Sequence, residues 1–225
     1  MRDVVAAEGW FSRAAAAGCP QGYLGLGLVW MRAARDEAGH ARAAEALRVA
    51  AEAGLGSAQF MLGALTERGQ GVARDIAAAT ALYGRAAEAG VRAAQARFGL
   101  ALLEGRGCTR DAARAESWLR RAALAGDREA ASLLGDLYAC GGDLPPNYIE
   151  AALWYRRAAS EGHGAAWRAL GMLALTGAGQ SRDVTEAARC FRQAAALGDG
   201  RAGAELGNLL LDQEGSEEAR RALGR

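Results

Sequence analysis

The sequence predicts an all-α chain: an α-solenoid of about six 36-residue repeats, each an antiparallel helix pair. Three observations predict it. The phrase Arg85-Ala86-Ala87-Glu88-Ala89-Gly90 recurs along the chain as Arg13-Ala14-Ala15, Ala50-Ala51, Arg121-Ala122-Ala123, Arg157-Ala158-Ala159 and Ala194-Ala195, and its closing glycines are 18, 54, 90, 126, 162 and 198, always 36 apart. A second ladder runs in phase: Leu26-Gly27, Leu62-Gly63, Phe98-Gly99, Leu134-Gly135, Leu170-Gly171 and Leu206-Gly207. Finally, the chain is 51% hydrophobic, rich in Ala and Leu, and has three Pro in 225 residues, a composition that favours helix. A fixed period of this length is the signature of a repeat array, which forms one elongated body without a single central core. Residues 1–225 are accordingly read as one solenoid domain. It has a half repeat at 1–18, full repeats at 19–54, 55–90, 91–126, 127–162 and 163–198, and a C-terminal capping repeat at 199–225.

Residues 55–90 are the clearest unit. Helix A is expected from about Ser57 to Arg68, with Ala58, Leu62, Leu65 and Thr66 on one face. The loop Gly69-Gln70-Gly71-Val72-Ala73-Arg74 follows, and Asp75 caps helix B, which runs to about Ala89. The cap column reads Asp3, Gly39, Asp75, Asp111, Asn147, Asp183; short side-chain oxygens there satisfy free helix N–H groups. Glu150 and Glu186, three residues beyond their caps, complete the pattern of a capping box. Helix B carries a bulky column, Trp10, Ala46, Leu82, Trp118, Trp154, Cys190, and beside it Phe11, Leu47, Tyr83, Leu119, Tyr155, Phe191. The closing glycine suits the left-handed C′ position. The mid-helix glycine costs about 1 kcal/mol against Ala, so its recurrence implies close approach of a neighbouring helix backbone.

Several units depart from the pattern. Repeat 19–54 lacks the Gly-x-Gly loop and has Ala33-Ala34-Arg35-Asp36-Glu37-Ala38-Gly39-His40 there, which implies a longer helix A. Repeat 127–162 has the Pro-stiffened loop Cys140-Gly141-Gly142-Asp143-Leu144-Pro145-Pro146. The last unit shortens its loop to Gln213-Glu214-Gly215 before a helix B from Ser216 to about Leu223. At the start, Asp3 sits at a cap position, so the chain opens on a helix B without its helix A. Either an upstream repeat is missing, or a partner covers the open apolar edge in an end-to-end contact.

Those residues carry a family resemblance. Leu-Gly in helix A, the Gly-x-Gly-Val loop, the capping Asp and the Ala-x-x-(Trp/Leu)-Tyr-x-Arg-Ala-Ala-Glu-x-Gly run resemble the Sel-one-like repeat (SLR), a tetratricopeptide-like helical pair. The resemblance covers nearly the whole chain. It implies a right-handed superhelix with A helices lining the concave face. It also implies a protein-interaction scaffold or adaptor, often in bacterial signalling, envelope or host-contact pathways, with no fixed chemistry. Some cysteine-rich relatives are linked to penicillin binding or hydrolysis, which needs a serine with a nearby lysine or comparable base.

Other classes find little support. The 27 basic residues are all Arg and are balanced by 26 acidic ones, for a net charge of +1, so no nucleic-acid footprint stands out. The start lacks the apolar core of a signal peptide, and no run of about 18 apolar residues predicts membrane insertion. Cytoplasmic localisation is the expectation, periplasmic or secreted if a signal has been removed. Cys19, Cys108, Cys140 and Cys190 occupy different repeat columns, which suits free thiols; Cys108 and Cys140 are the pair whose positions could bring them together. His40, expected in a loop, and His163, at an inter-repeat turn, have no second ligand at metal spacing. Gly25-Leu26-Gly27 and Gly177-Ala178-Gly179 fall on repeat columns with no preceding strand and no GK[ST]. No cofactor, metal or catalytic residue is expected.

What remains is surface. Three helix A columns at i, i+4, i+7 vary from repeat to repeat: Leu24/Phe60/Ala96/Ser132/Arg168/Ala204, Leu28/Ala64/Leu100/Asp136/Met172/Asn208 and Met31/Glu67/Leu103/Ala139/Leu175/Leu211. Many members are apolar, as a binding groove requires; burial between helices is the competing explanation. The groove is therefore assigned to Leu28, Trp30, Met31, Phe60, Glu67, Arg97, Leu100, Leu103, Asp136, Tyr138, Trp167, Arg168, Met172, Leu175 and Asn208. Trp30, Tyr138, Trp167 and Arg168 are its anchors. The expected partner is another protein, presented as a peptide or helix. A small-ligand or glycan-binding regulator and a beta-lactamase-like hydrolase are the alternatives.

Overall fold

The computed structural model describes the backbone of residues 2–141 and 146–223 and the side chains of 4–141 and 146–212. Its described residues form twelve helices and no strand: α1 (Arg2–Ala16), α2 (Pro20–Ala33), α3 (Glu37–Glu52), α4 (Gly56–Arg68), α5 (Ile76–Glu88), α6 (Arg92–Glu104), α7 (Ala112–Leu124), α8 (Arg128–Cys140), α9 (Tyr148–Ser160), α10 (Gly164–Thr176), α11 (Val184–Ala196) and α12 (Gly200–Leu223). Two compact units divide them, at 1–125 and 126–225. In the first, the hairpins α2/α3, α4/α5 and α6/α7 follow α1, each helix packing mainly on its sequence neighbours. The second contains α8/α9 and α10/α11 followed by α12.

Local chemistry sets the joints. The closing glycines all adopt positive φ, from +77° to +89°. After α5, the Gly90 N–H donates to the Ala87 carbonyl and the Val91 N–H to that of Ala86, both at 3.0 Å, the paired bonds of a Schellman C-cap. The neighbouring Ala86 and Ala87 are buried, and with Ala79, Tyr83, Ala94, Phe98 and Leu102 they make a core in which small residues let helices approach closely. Helix A of this hairpin buries Ala58, Leu62, Leu65 and Thr66 as expected. The four thiols are free.

The mid-helix glycines also have a packing cause, but a different one from that expected. A Cβ on Gly63 would stand 2.9 Å from Tyr83 Cε1, one on Gly99 2.8 Å from Leu119 Cγ, one on Gly135 2.3 Å from Tyr155 Cε1 and one on Gly171 2.5 Å from Phe191 Cε1. The close neighbour is chiefly the large side chain of the following helix B, not its backbone. The second loop glycine has a similar role: a Cβ on Gly71, which lies at φ +69°, would meet the His40 backbone at 2.2 Å.

Three expectations need correction. In repeat 19–54 the cap is Asp36, not Gly39: its Oδ1 accepts the Gly39 N–H at 2.8 Å, so α3 starts three residues early and takes His40 into its first turn. Without a Gly-x-Gly loop, nothing delays the helix start. Asp183 caps α11, and Asn147 caps α9, through their side chains, but neither completes a capping box. The cap N–H is already taken, by the Tyr138 carbonyl at 2.8 Å for Asn147 and the Ala174 carbonyl at 2.8 Å for Asp183. Lastly, α12 runs unbroken through Gln213-Glu214-Gly215 where a loop was expected. Gln and Glu are good helix formers, and a lone Gly costs only about 1 kcal/mol. The Asp3 side chain and residues 142–145 lie outside the described residues.

Candidate interaction surface

In the first unit the stripe converges on a carboxylate. Glu67, at the end of α4, accepts the Tyr83 hydroxyl at 2.8 Å, Arg97 Nη1 at 3.1 Å and Arg106 Nη2 at 2.6 Å. Helix α5 supplies the tyrosine, α6 the first arginine, and the Gly105-Arg106-Gly107 loop the second. Burial works against the charge of Glu67, but the Tyr83 hydroxyl and the two guanidinium groups outweigh it and hold the carboxyl below the usual glutamate value. Burial and the adjacent carboxylate push the Tyr83 phenol well above its ordinary value. Phe60 leans on the same ring, with centroids 5.7 Å apart. A small cavity of about 70 Å³ lies beside this cluster, with Leu100 in its wall. Glu67 and Arg97 thus complete each other, with Arg106 as a partner that the stripe pattern could not supply.

Trp30 is half-buried: its Nε1 donates to Glu8 Oε1 at 2.8 Å and Arg42 lies 4.5 Å above its ring. Leu28 is 38% exposed, while Met31, Leu100 and Leu103 are half-buried. Met31 and Leu103 pack against the cores beneath them, so burial between helices accounts for part of the apolar stripe.

In the second unit, Asp136 is exposed and accepts the Tyr155 hydroxyl at 2.7 Å. Tyr138 is half-buried. Arg168 donates through Nε to Asp199 Oδ2 at 2.9 Å, and Asp199 also accepts the Ala202 N–H at the start of α12. Arg168 is therefore partly a joint between α10 and α12. Trp167 lies beneath Arg189, 5.3 Å from guanidinium carbon to ring centre. Met172 is 36% exposed, Leu175 packs on the core, and Asn208 is exposed. His163 caps α10, Nδ1 accepting the Ala166 N–H at 3.2 Å, with Nε2 3.0 Å from Glu129 Oε2. Sequence reasoning missed Arg106, Arg42, Glu186, Arg189 and Asp199, all outside the helix A stripe; their partners follow from side-chain reach that a column pattern does not encode.

No group of three or more His, Cys, Asp or Glu among the described residues is placed to hold a metal ion. No helix there is long and apolar enough to cross a membrane.

Stacked helix hairpins with a glycine-marked 36-residue period define a repeat scaffold. The Sel1 repeat model matches residues 1–19, 56–91, 92–127, 128–163 and 166–199, and the chain belongs to that family, whose fold is generally a protein-interaction scaffold. The match passes over 20–55 and everything after 199, where α3 starts early and α12 runs unbroken. Among solved structures, the chain is similar to c5321, a protective antigen of uropathogenic Escherichia coli with an SLR fold, at 33% identity and TM-score 0.83, over 91% of this chain and 44% of that one. It thus spans less than half of that protein. It is also similar to a Sel1 repeat protein of Oxalobacter formigenes, at 28% identity and TM-score 0.75, covering 83% and 74% of the two chains. No curated protein matches the chain.

Proposed function

We propose that the protein is a non-catalytic adaptor that takes a partner helix or extended peptide along the helix A stripe, in a bacterial regulatory or envelope-related pathway. One observation carries this reading: on helix A, in columns that differ from repeat to repeat, apolar side chains reach solvent. Leu28 is 38%, Met172 36% and Leu211 68% exposed. Apolar residues of this kind, set among polar neighbours, are what an amphipathic helix or extended segment packs against. The similarity to a protective antigen supports an envelope or host-contact setting.

Affinity purification of the full chain with quantitative mass spectrometry tests the reading. A stoichiometric protein partner should be recovered, and it should be lost from the Leu28→Glu, Met172→Glu double variant. Both side chains are exposed enough for the fold to tolerate the charge. Undiminished recovery with the double variant places the contact elsewhere. Met172 is preferred to Arg168, whose ion pair with Asp199 also supports the helix packing.

A further inference from the structure

Where the bulky helix B column holds a small residue, a cleft lies beside it. In repeat 91–126 Trp118 packs edge-on against Phe98, with ring centroids 5.8 Å apart. In repeat 127–162 Trp154 is buried. Repeat 163–198 has Cys190 in that column, and a cleft of about 220 Å³ lies there, with Trp167, Leu170 and Leu173 in its walls. The relation repeats in the first unit, where Ala46 takes the column and a cleft of about 280 Å³ opens against Tyr23, Leu26 and Trp30. A small residue in a column that carries indole in repeats 91–126 and 127–162 leaves the space of a ring.

The charges around the second cleft are unequal. Glu186 is held by Arg189 in a two-point contact, at 2.7 and 2.6 Å. Arg156 also lines the cleft, is exposed, and has no hydrogen bond or ion pair among the described residues. Its charge already favours the ionised form of Glu186, but its guanidinium N–H groups are open to a further anion. The Cys190 thiol is pushed up to about 12, first by burial and then by Glu186, so it remains protonated at neutral pH and acts here as a small side chain, not a nucleophile. The volume falls below the roughly 300 Å³ at which small-molecule sites begin, and suits one side chain of a larger partner.

We propose that the cleft formed by α9, α10 and α11 receives an aromatic side chain of a protein partner, with a neighbouring carboxylate of that partner paired to Arg156. The cleft shares Trp167 with the helix A groove, but the proposal does not rest on a partner bound along that groove.

The test uses the full ¹⁵N-labelled chain and three capped tripeptides, Asp-Trp-Asp, Asp-Ala-Asp and Lys-Trp-Lys, titrated by amide NMR shifts. Asp-Trp-Asp should perturb α10 and α11 and bind about tenfold or more tighter than Asp-Ala-Asp, the scale of one buried ring. Arg156→Glu should weaken Asp-Trp-Asp about fivefold, the upper range for an exposed ion pair, and should invert its preference over Lys-Trp-Lys. Cys190→Trp, which installs the side chain of repeats 91–126 and 127–162, should abolish binding while circular dichroism and melting temperature show an intact fold. The proposal is overturned if Asp-Trp-Asp does not bind, if it binds no better than Asp-Ala-Asp, or if a folded Cys190→Trp chain binds it unchanged. Indole-3-acetate binding as tightly as the peptide would make the cleft a small-ligand site and overturn it equally. Should Cys190→Trp misfold, Arg156→Glu with the three peptides still decides.

Discussion

Tyr83 in the first unit and Tyr155 in the second occupy the same repeat column, yet their hydroxyls meet different chemistry. Each ring lies against the mid-helix glycine of its own hairpin, Gly63 or Gly135. Beyond the ring the two diverge. The Tyr83 hydroxyl donates to Glu67, a carboxylate also bound by Arg97 and Arg106. That of Tyr155 donates to Asp136, one helical turn earlier in the repeat, and no arginine lies within ion-pair distance of Asp136 among the described residues. The ring belongs to the repeat framework and the hydroxyl's acceptor to the individual repeat. Change in the first should cost stability everywhere; change in the second should cost according to its local partners.

The largest effects should come from the framework. In Gly135→Ala the new methyl would stand 2.3 Å from Cε1 and 2.4 Å from Cδ1 of Tyr155, against 2.9 and 3.1 Å from the matching atoms of Tyr83 in Gly63→Ala. Overpacking costs about 1–3 kcal/mol and the glycine-to-alanine gain in helix propensity returns about 1. Gly135→Ala should therefore lose about 2 kcal/mol net and Gly63→Ala about 1 or less, read from denaturant or thermal unfolding. Equal, negligible losses would remove the ring–glycine contact as the cause of the conserved register within this chain.

The acceptors should separate the two regions next. Glu67→Gln retains the shape but loses two arginine contacts and weakens a half-buried tyrosine bond, and should cost about 1.5 kcal/mol. Asp136→Asn, at an exposed site with one hydroxyl partner, should cost about 0.5 kcal/mol. The pH dependence carries a sign. Because the folded-state value of Glu67 lies below its ordinary one, its contribution is fully present above the ordinary glutamate range and is lost as pH falls through the lowered value. Wild type should thus lose more stability on acidification than Glu67→Gln, measured as unfolding midpoints across the acid range. Identical pH profiles would mean that the arginines do not act on Glu67.

These contrasts also show what a sequence can reveal here. Period, hairpin order, C′ glycines and cap column were legible because each residue's role is local and recurs every 36 positions. Gly39 failed as a cap because it has no side-chain oxygen, whereas Asp36, three residues before it, offers one to the same turn. The helix A stripe was legible as variation, but not which members are already engaged. Glu67 is completed by Arg106 from a loop 39 residues on, and Arg168 by Asp199 from the next turn. Nothing in the periodicity states that an arginine will reach across. Trp167 was visible as an off-pattern aromatic; the cleft beside it depends on what Cys190 lacks, an inference that required the filled hairpins for comparison.

The one stabilising change tests the framework from the opposite side. Gly207 continues the mid-helix glycine column, yet a Cβ there would meet nothing within 4 Å among the described residues, because α12 continues where a helix B would otherwise fold back. No ring demands the glycine, so only its intrinsic penalty remains. Gly207→Ala should therefore stabilise the second unit by about 1 kcal/mol, the propensity difference at an exposed helix position. The same substitution thus changes sign along one column, depending on whether an aromatic ring lies over it. A rise in melting temperature for Gly207→Ala beside a fall for Gly135→Ala would assign the glycine requirement to the ring. A loss at Gly207 would mean that a further helix or partner packs against this face of α12.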